Sequence, residues 1–334
     1  MAETFIDKVS RFLRKEIDYP VWSNLKFIKG EGIDYHLNLR KLNKIYTEPN
    51  LKFDENGVAK FDYAIVPPPN KGIGAIYNIT YICWYALARL QDYLETGDEE
   101  AKISFLRQAD WLCRNNSSKN GVVSWPISFP WNMYGQWLPI PRVSCMDQGL
   151  AISVLVRAYM LTSKKEYLDI AVSAEAYYDT PMKGGGFNII LKDGSVFYEM
   201  FPGEQPSFIL DGPLFSILAL YDLYKVTLNE RTKNRFQKAC EGISSNIGYW
   251  DYRGLWSWFG RYYLSSAMYH KINIGLLEAL SVASQDSRLA SLANSWARAY
   301  GNGLLKRLMK YRIFLSVRTF LLYNRLGLAY RKGL

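Results

Sequence analysis

Four times in this chain an apolar run long enough for a helix passes through a short polar turn into a second, more amphipathic run. YNITYICWYALARLQDYLETGD leads into EEAKISFLRQADWLCRNN, and QGLAISVLVRAYMLTS into KKEYLDIAVSAEAYYDTP. GPLFSILALYDLYKVTLN leads into ERTKNRFQKACEGISSN, and KINIGLLEALSVASQ into DSRLASLANSWARAYGN. Leu87, Leu155, Leu218 and Leu277 hold comparable places, spaced by roughly 60–70 residues, the period of a helix pair with a long loop. Helix pairs repeated in this way stack into a toroid or solenoid. The first helix of each pair is apolar nearly all round, as in Ala151-Ile152-Ser153-Val154-Leu155-Val156, and belongs in an inner ring. The second carries one apolar stripe, as with Phe236, Ala239, Cys240 and Ile243, and belongs outside. The expected fold is therefore mainly α: an incomplete (α/α) barrel of about four helix pairs.

The remaining chain divides around that unit. Residues 1–70 read as a short amphipathic helix over 3–17 (Phe5, Ile6, Val9, Phe12, Leu13) and a small β-region. In the latter, Tyr35–Tyr46 and Phe53–Val66 alternate apolar and polar residues, Asn56-Gly57 marks a turn, and Pro67-Pro68-Pro69 closes it. Residues 71–301 hold the toroid, with a hairpin excursion at Phe187–Leu191 and Val196–Tyr198 around Asp193-Gly194. Residues 302–334 form a tail without Asp or Glu, holding eight Lys and Arg residues interleaved with Leu and Phe. Such a tail suits the surface of an anionic bilayer, or packs on the core with a solvated basic face.

Composition narrows the function classes. Four dispersed cysteines (Cys83, Cys113, Cys145, Cys240) and two histidines argue against a Cys/His zinc site and for a reducing compartment. No apolar stretch is long enough to span a bilayer, and the N-terminus lacks a signal-peptide core, so a cytoplasmic protein is expected, peripheral to a membrane if the tail binds one. The net charge is +10, but no nucleic-acid-binding motif accompanies it, and a basic patch alone attracts any polyanion. Phosphate-cradling glycine motifs and a nucleophile elbow are also missing.

The loops between helix pairs concentrate aromatic residues: Trp125, Trp131, Tyr134, Trp137, Tyr198, Phe201, Tyr249, Trp250, Tyr252, Trp256, Trp258 and Tyr269. Aromatic faces stack on sugar rings while polar groups hold hydroxyls, so a carbohydrate cleft at the mouth of the ring is expected, against the plainer reading that half or more of these rings plug the toroid. Glu199, Glu204, Asp211 and Asp251 are the carboxylates of these loops, and a flanking pair would also suit a glycosidase.

Three segments carry a resemblance: SCMDQGLAISVLVRAYMLTSKKEYL (Ser144–Leu168), YEMFPGEQPSFILDGPLFSILALYDLY (Tyr198–Tyr224) and YHKINIGLL (Tyr269–Leu277). They resemble, in order, the Q-G-x-x-I-S-x-L-x-R-A-Y helix, the E-E-Y-P, P-S-x-V-L-N-G and G-L-Y-D runs, and the Y-H-x-x-H-I of the D-glucuronyl C5-epimerase family, in its C-terminal catalytic domain. The similarity runs from about Tyr35 to Tyr300. It implies a β-region followed by an (α/α) barrel, inversion at C5 of a hexuronic acid within a polysaccharide, and no metal or redox cofactor. It also implies an acidic polysaccharide or lipid-linked glycan as partner and allows a homodimer; with no binding motif present, no nucleic-acid partner is expected.

Carried over by position, the resemblance makes Tyr269 one acid/base, with Glu199 or Tyr198 opposite and Arg261 or Arg142 neutralising the substrate carboxylate. Gln148, Ser207 and His270, within the matching segments, are expected to bind substrate, and the aromatic loops, with Trp131 and Tyr134, to hold neighbouring sugars. Met200 stands at the second Glu of E-E-Y-P and Phe201 at its Tyr, while Phe259 or Trp258 stands near a further family tyrosine and Asn273 at the second His. Phenylalanine keeps the ring and removes the hydroxyl, so a glycan-binding protein on the same fold remains the alternative. A polysaccharide lyase or a glycosidase is the third reading.

Overall fold

The computed structural model describes residues 27–28, 32–40, 50–63, 70, 72–331 and 333–334. The expected helix over 3–17, the second half of the Tyr35–Tyr46 run and the triple proline lie outside these residues.

The four helix pairs form as the periodicity indicates. They are α1 (Ile79–Thr96) with α2 (Glu99–Arg114), α3 (Cys145–Thr162) with α4 (Lys165–Glu175), α5 (Asp211–Thr227) with α6 (Glu230–Asn246), and α7 (Ala267–Ser284) with α8 (Ser287–Gly301). Helix starts are capped by short polar side chains: Asn78 accepts from Tyr81 N–H, Asp98 from Glu100, Asn229 from Arg231 and Thr232, Asp286 from Arg288 and Leu289. Within each pair the polar turn reverses the chain, so the second helix packs back on the first.

The first helices form a continuous inner arc, α1 against α3, α3 against α5, α5 against α7. Every residue of α3 from Cys145 to Ala158 is buried, as a helix packed on all sides requires. The second helices bury a single stripe, Phe236, Ala239, Cys240 and Ile243 in α6, and lie outside. The arc stays open between α7 and α1, which share no packing comparable to that of the other neighbours. The fold is an incomplete (α/α) toroid.

Helices α3 and α5 approach each other closely. A Cβ on Gly149 would lie 2.5 Å from Ser216 Cα, so only glycine permits this distance. The small β-region stands beside α1. There β1 (Leu51–Phe53) and β2 (Ala59–Asp62) form an antiparallel hairpin around Gly57 (φ +74°), and β3 (Ala75–Ile76) extends it. Asp222 of α5 ties the preceding segment to the toroid: its carboxylate accepts from Arg157 Nη1 (2.6 Å) and Ser153 Oγ (2.8 Å) and meets His36 Nε2 at 2.8 Å.

The loops between pairs carry short hairpins: β4 (Ser117–Lys119) with β5 (Val122–Ser124), β6 (Asn132–Met133) with β7 (Gln136–Trp137), and β8 (Asn188–Ile190) with β9 (Val196–Tyr198). A three-stranded meander of β10 (Asp251–Tyr252), β11 (Trp256–Phe259) and β12 (Tyr263–Leu264) precedes α7. The tail holds a further helix, α9 (Gly303–Arg325), which packs against β12 and α8. No helix among the described residues is long and apolar enough to cross a membrane.

Candidate active site

The four inner helices all deliver their first turns to one cleft. Its lining includes Thr80, Tyr81 and Trp84 of α1, Met146 and Asp147 of α3, Asp211 of α5, and Met268 and Tyr269 of α7. The cavity measures about 280 Å³ and is walled by the β-region (Leu51, Tyr63) and the loops (Phe129, Trp131, Arg142, Met200, Phe201). It thus sits at the end of the arc where the inner helices begin. The convergence of helix starts sets the positive ends of four helix dipoles at the cleft, which favours an anion.

Among the described residues, Asp147, Asp211 and Arg142 are the charged side chains of its lining. Asp147 accepts from Thr80 Oγ1 at 2.5 Å, and burial pushes its carboxyl up to about 6 against the pull of Thr80 and the Arg142 charge. Asp211 is likewise pushed up to about 6 by burial, its Oδ1 taking the Gly212 N–H at 3.0 Å. Arg142 is the one cationic side chain among the described residues lining the cleft. It is 3% exposed, lies over the Phe129 ring, and donates through Nη1 to Phe129 O at 2.9 Å. Its Nε has no hydrogen-bond partner among the described residues, and burial lowers its pKa to about 10. A buried guanidinium whose Nε has no partner is suited to a carboxylate.

Of the residues expected from sequence, Tyr269, Arg142, Trp131 and Phe201 line this cleft together. Tyr269 follows from Ser266, whose hydroxyl caps the start of α7, and its ring rests on Phe259 with centroids 4.9 Å apart. Glu199 lies behind the cleft, fully buried. Its carboxylate accepts from Phe201 N–H (2.8 Å), Phe208 N–H (3.1 Å) and Ser207 Oγ, and so folds the loop that carries Phe201 into the cleft wall. Burial outweighs these donors and raises Glu199 to about 7.

The other expected residues fall elsewhere. Tyr198 packs edge-on against Tyr178 and Phe187 in the core. Gln148 donates to Val123 O and Ala174 O and joins α3 to its surroundings. Arg261 pairs with Gln205. Tyr134 bonds Tyr263 through their hydroxyls beneath Phe320. Trp258 stacks with Arg331. His270 is buried on Trp256 (3.9 Å) with Nδ1 accepting from Ser257 N–H.

Several loop aromatics serve the core instead of the mouth. Trp125, Trp250 and Trp256 are buried, and their indole N–H groups donate to Leu112 O, Phe208 O and Ser265 O. Asp147 was missed from sequence. Its signal was a carboxylate in the first turn of a helix otherwise buried on every side, where water cannot solvate it.

The family model of the D-glucuronyl C5-epimerase C-terminus matches residues 119–298, more than half of the chain. The chain belongs to that family. It is 27% identical over 230 residues to a D-glucuronyl C5-epimerase of Caenorhabditis elegans, a match covering 61% of this chain and 36% of that protein. It therefore spans about a third of the length of this curated relative. Among solved structures it is similar to a GH76 alpha-mannanase of Bacteroides thetaiotaomicron, with 11% identity, TM-score 0.48, and coverage of 86% of this chain and 70% of the other. It is also similar to an unsaturated glucuronyl hydrolase of Bacillus sp. GL1, with 16% identity, TM-score 0.45, and coverage of 66% and 60%.

Proposed function

We propose that this chain inverts C5 of a hexuronic acid residue held within an acidic polysaccharide. The observation that carries this reading is the gathering of Tyr269, Asp147 and the buried, under-used Arg142 at one mouth formed by four helix N-termini. Inversion takes a proton from C5 on one face and returns one on the other. The electron pair left on C5 is drawn into the adjacent carboxylate, which then carries added negative charge. Arg142 and the helix N-termini stabilise that charge where it develops. Asp147, raised to about 6, is matched to accept a proton near neutral pH, and Tyr269, in the first turn of α7, is assigned the donation from the other face. Their roles exchange in the reverse direction, so no external reactant is consumed.

A polymer also needs space beside the reacting sugar. A second concavity of about 480 Å³ shares Asn78, Ile127 and Phe129 with the cleft and adds Tyr77, Trp111 and Lys60. Its Tyr77–Trp111 pair (centroids 5.0 Å apart) offers aromatic surface to a neighbouring ring.

The test is incubation with uronate-containing polymers in deuterated water, reading deuterium at C5 by NMR. Incorporation without chain cleavage is expected, reduced about 10²–10⁴-fold in Tyr269→Phe and in Asp147→Asn. Arg142→Met should weaken binding of the polymer as well as exchange. Phe201, standing in the cleft wall at a family tyrosine position, favours a second reading in which the cleft only binds a glycan. Saturable binding without exchange would establish that reading and overturn the first.

A further inference from the structure

Helix α9 uses one face in the fold and leaves the other uncovered. Met309, Ile313, Ser316 and Phe320 are buried against the meander, α8 and the Tyr134–Tyr263 cluster. On the opposite side Leu304, Leu308, Tyr311, Leu315 and Leu322 follow one another at steps of four, three, four and seven, which sets them in a line along the helix. They are 70%, 54%, 54%, 53% and 55% exposed. Scattered exposed leucines need no explanation, but a row of five large apolar side chains does. At 100° per residue, Arg307, Arg318 and Arg325 border this row on one side and Arg312 on the other, and all four are exposed. Leu326 and Leu328, 62% and 56% exposed, prolong the apolar surface beyond the helix. The chain from Asn302 to Leu334 contains no acidic residue.

We propose that this face docks on an anionic lipid bilayer. The leucines and Tyr311 would enter the boundary between headgroups and acyl chains, and the bordering arginines would meet lipid phosphates. The helix lies on such a surface and does not cross it, since no described helix is long and apolar enough to span. A second copy of this chain is the less suitable occupant. Row against row would set arginine against arginine, with no carboxylate in the segment to separate them. Because Phe320 packs on Tyr134, Tyr262 and Tyr263, and Asn324 Nδ2 donates to Tyr134 O at 3.1 Å, the helix is fixed to the toroid. Docking through it holds the catalytic mouth at a set height above the membrane.

Vesicle cosedimentation of the full chain tests this. The probes are phosphatidylcholine vesicles with about 30 mol% phosphatidylglycerol, beside phosphatidylcholine alone. Binding to the anionic vesicles is expected at least about tenfold tighter, and weakening with salt. The quadruple variant Leu304→Ser, Leu308→Ser, Leu315→Ser, Leu322→Ser should bind neither vesicle. The triple variant Arg307→Gln, Arg318→Gln, Arg325→Gln should lose about a hundredfold on anionic vesicles alone. All seven positions are exposed, and an unchanged circular dichroism spectrum checks folding. Absence of wild-type binding, or full binding by the serine variant, would overturn the proposal. A wild-type dimer in light scattering that the serine variant converts to monomer would also overturn it, assigning the face to a second copy.

Discussion

Replacing Glu199 by Gln separates a positioning role from a catalytic one. The carboxylate holds three donors: Phe201 N–H and Ser207 Oγ on Oε1, and Phe208 N–H on Oε2. Glutamine keeps the shape, but its amide nitrogen must face one of the two backbone N–H groups whichever way it turns. One buried donor is then left unpaired, at a cost of about 1–3 kcal/mol. The wild-type carboxyl has its own cost, because burial lifts its pKa from 4.5 to about 7. A folded-state pKa above the unfolded one means that the folded protein holds this proton more tightly. Its stability contribution is therefore greatest below about pH 4.5 and falls by about 3 kcal/mol as pH rises to 7. Glutamine does not ionise and escapes this decline. Near pH 4.5 the variant should be the less stable by about 2 kcal/mol, and above pH 7 the gap should close or reverse. Urea denaturation of both proteins from pH 4.5 to 8 measures the difference directly. A gap that stays constant or widens with pH would refute the reasoning, since it would mean that the three donors outweigh burial and keep Glu199 ionised throughout. C5 exchange by the folded variant should persist, with a raised KM from the loosened Phe201 loop.

Other positions test the frame around the cleft. Asp222→Asn leaves the Arg157 guanidinium buried without its counter-charge and should cost about 3–5 kcal/mol in urea denaturation, with faster hydrogen exchange over Gly32–Arg40. Arg157 and His36 hold the Asp222 carboxyl well below its usual range, so its stabilising contribution is present above about pH 4 and is lost as acid protonates it. Gly149→Ala should drive α3 and α5 apart and lower stability by about 1–3 kcal/mol, read from the denaturation midpoint, whereas Gly97→Ala would strain only a positive-φ helix end with open space around it.

What the sequence made legible follows from which forces act locally. The helix pairs were readable because an inner helix must be apolar on all sides and an outer one on a single stripe, with a short polar turn between them. The hairpins at Gly57 and Gly194 were readable for the same reason, since the turn chemistry sits in two residues. The placement of residues was legible for Tyr269 and Phe201, which stand in motifs, and for Arg142 and Trp131, which stand in an aromatic loop: all four line one cleft. It was not legible where a loop folds back. Glu199 and Tyr198 sit beside Phe201 in the chain, yet the three donors collected from residues 201–208 turn Glu199 inward while Phe201 reaches the cleft. The loop aromatics divide between the two uses that the sequence left open, because a tryptophan that plugs a ring and one that holds a sugar have the same composition signature. They differ in whether a backbone carbonyl waits for the indole N–H, as Leu112, Phe208 and Ser265 do. Asp147 shows the converse. Its place in the first turn of a helix buried from Cys145 to Ala158 marks a carboxylate that the fold tolerates at a cost, and that burial is what raises its pKa.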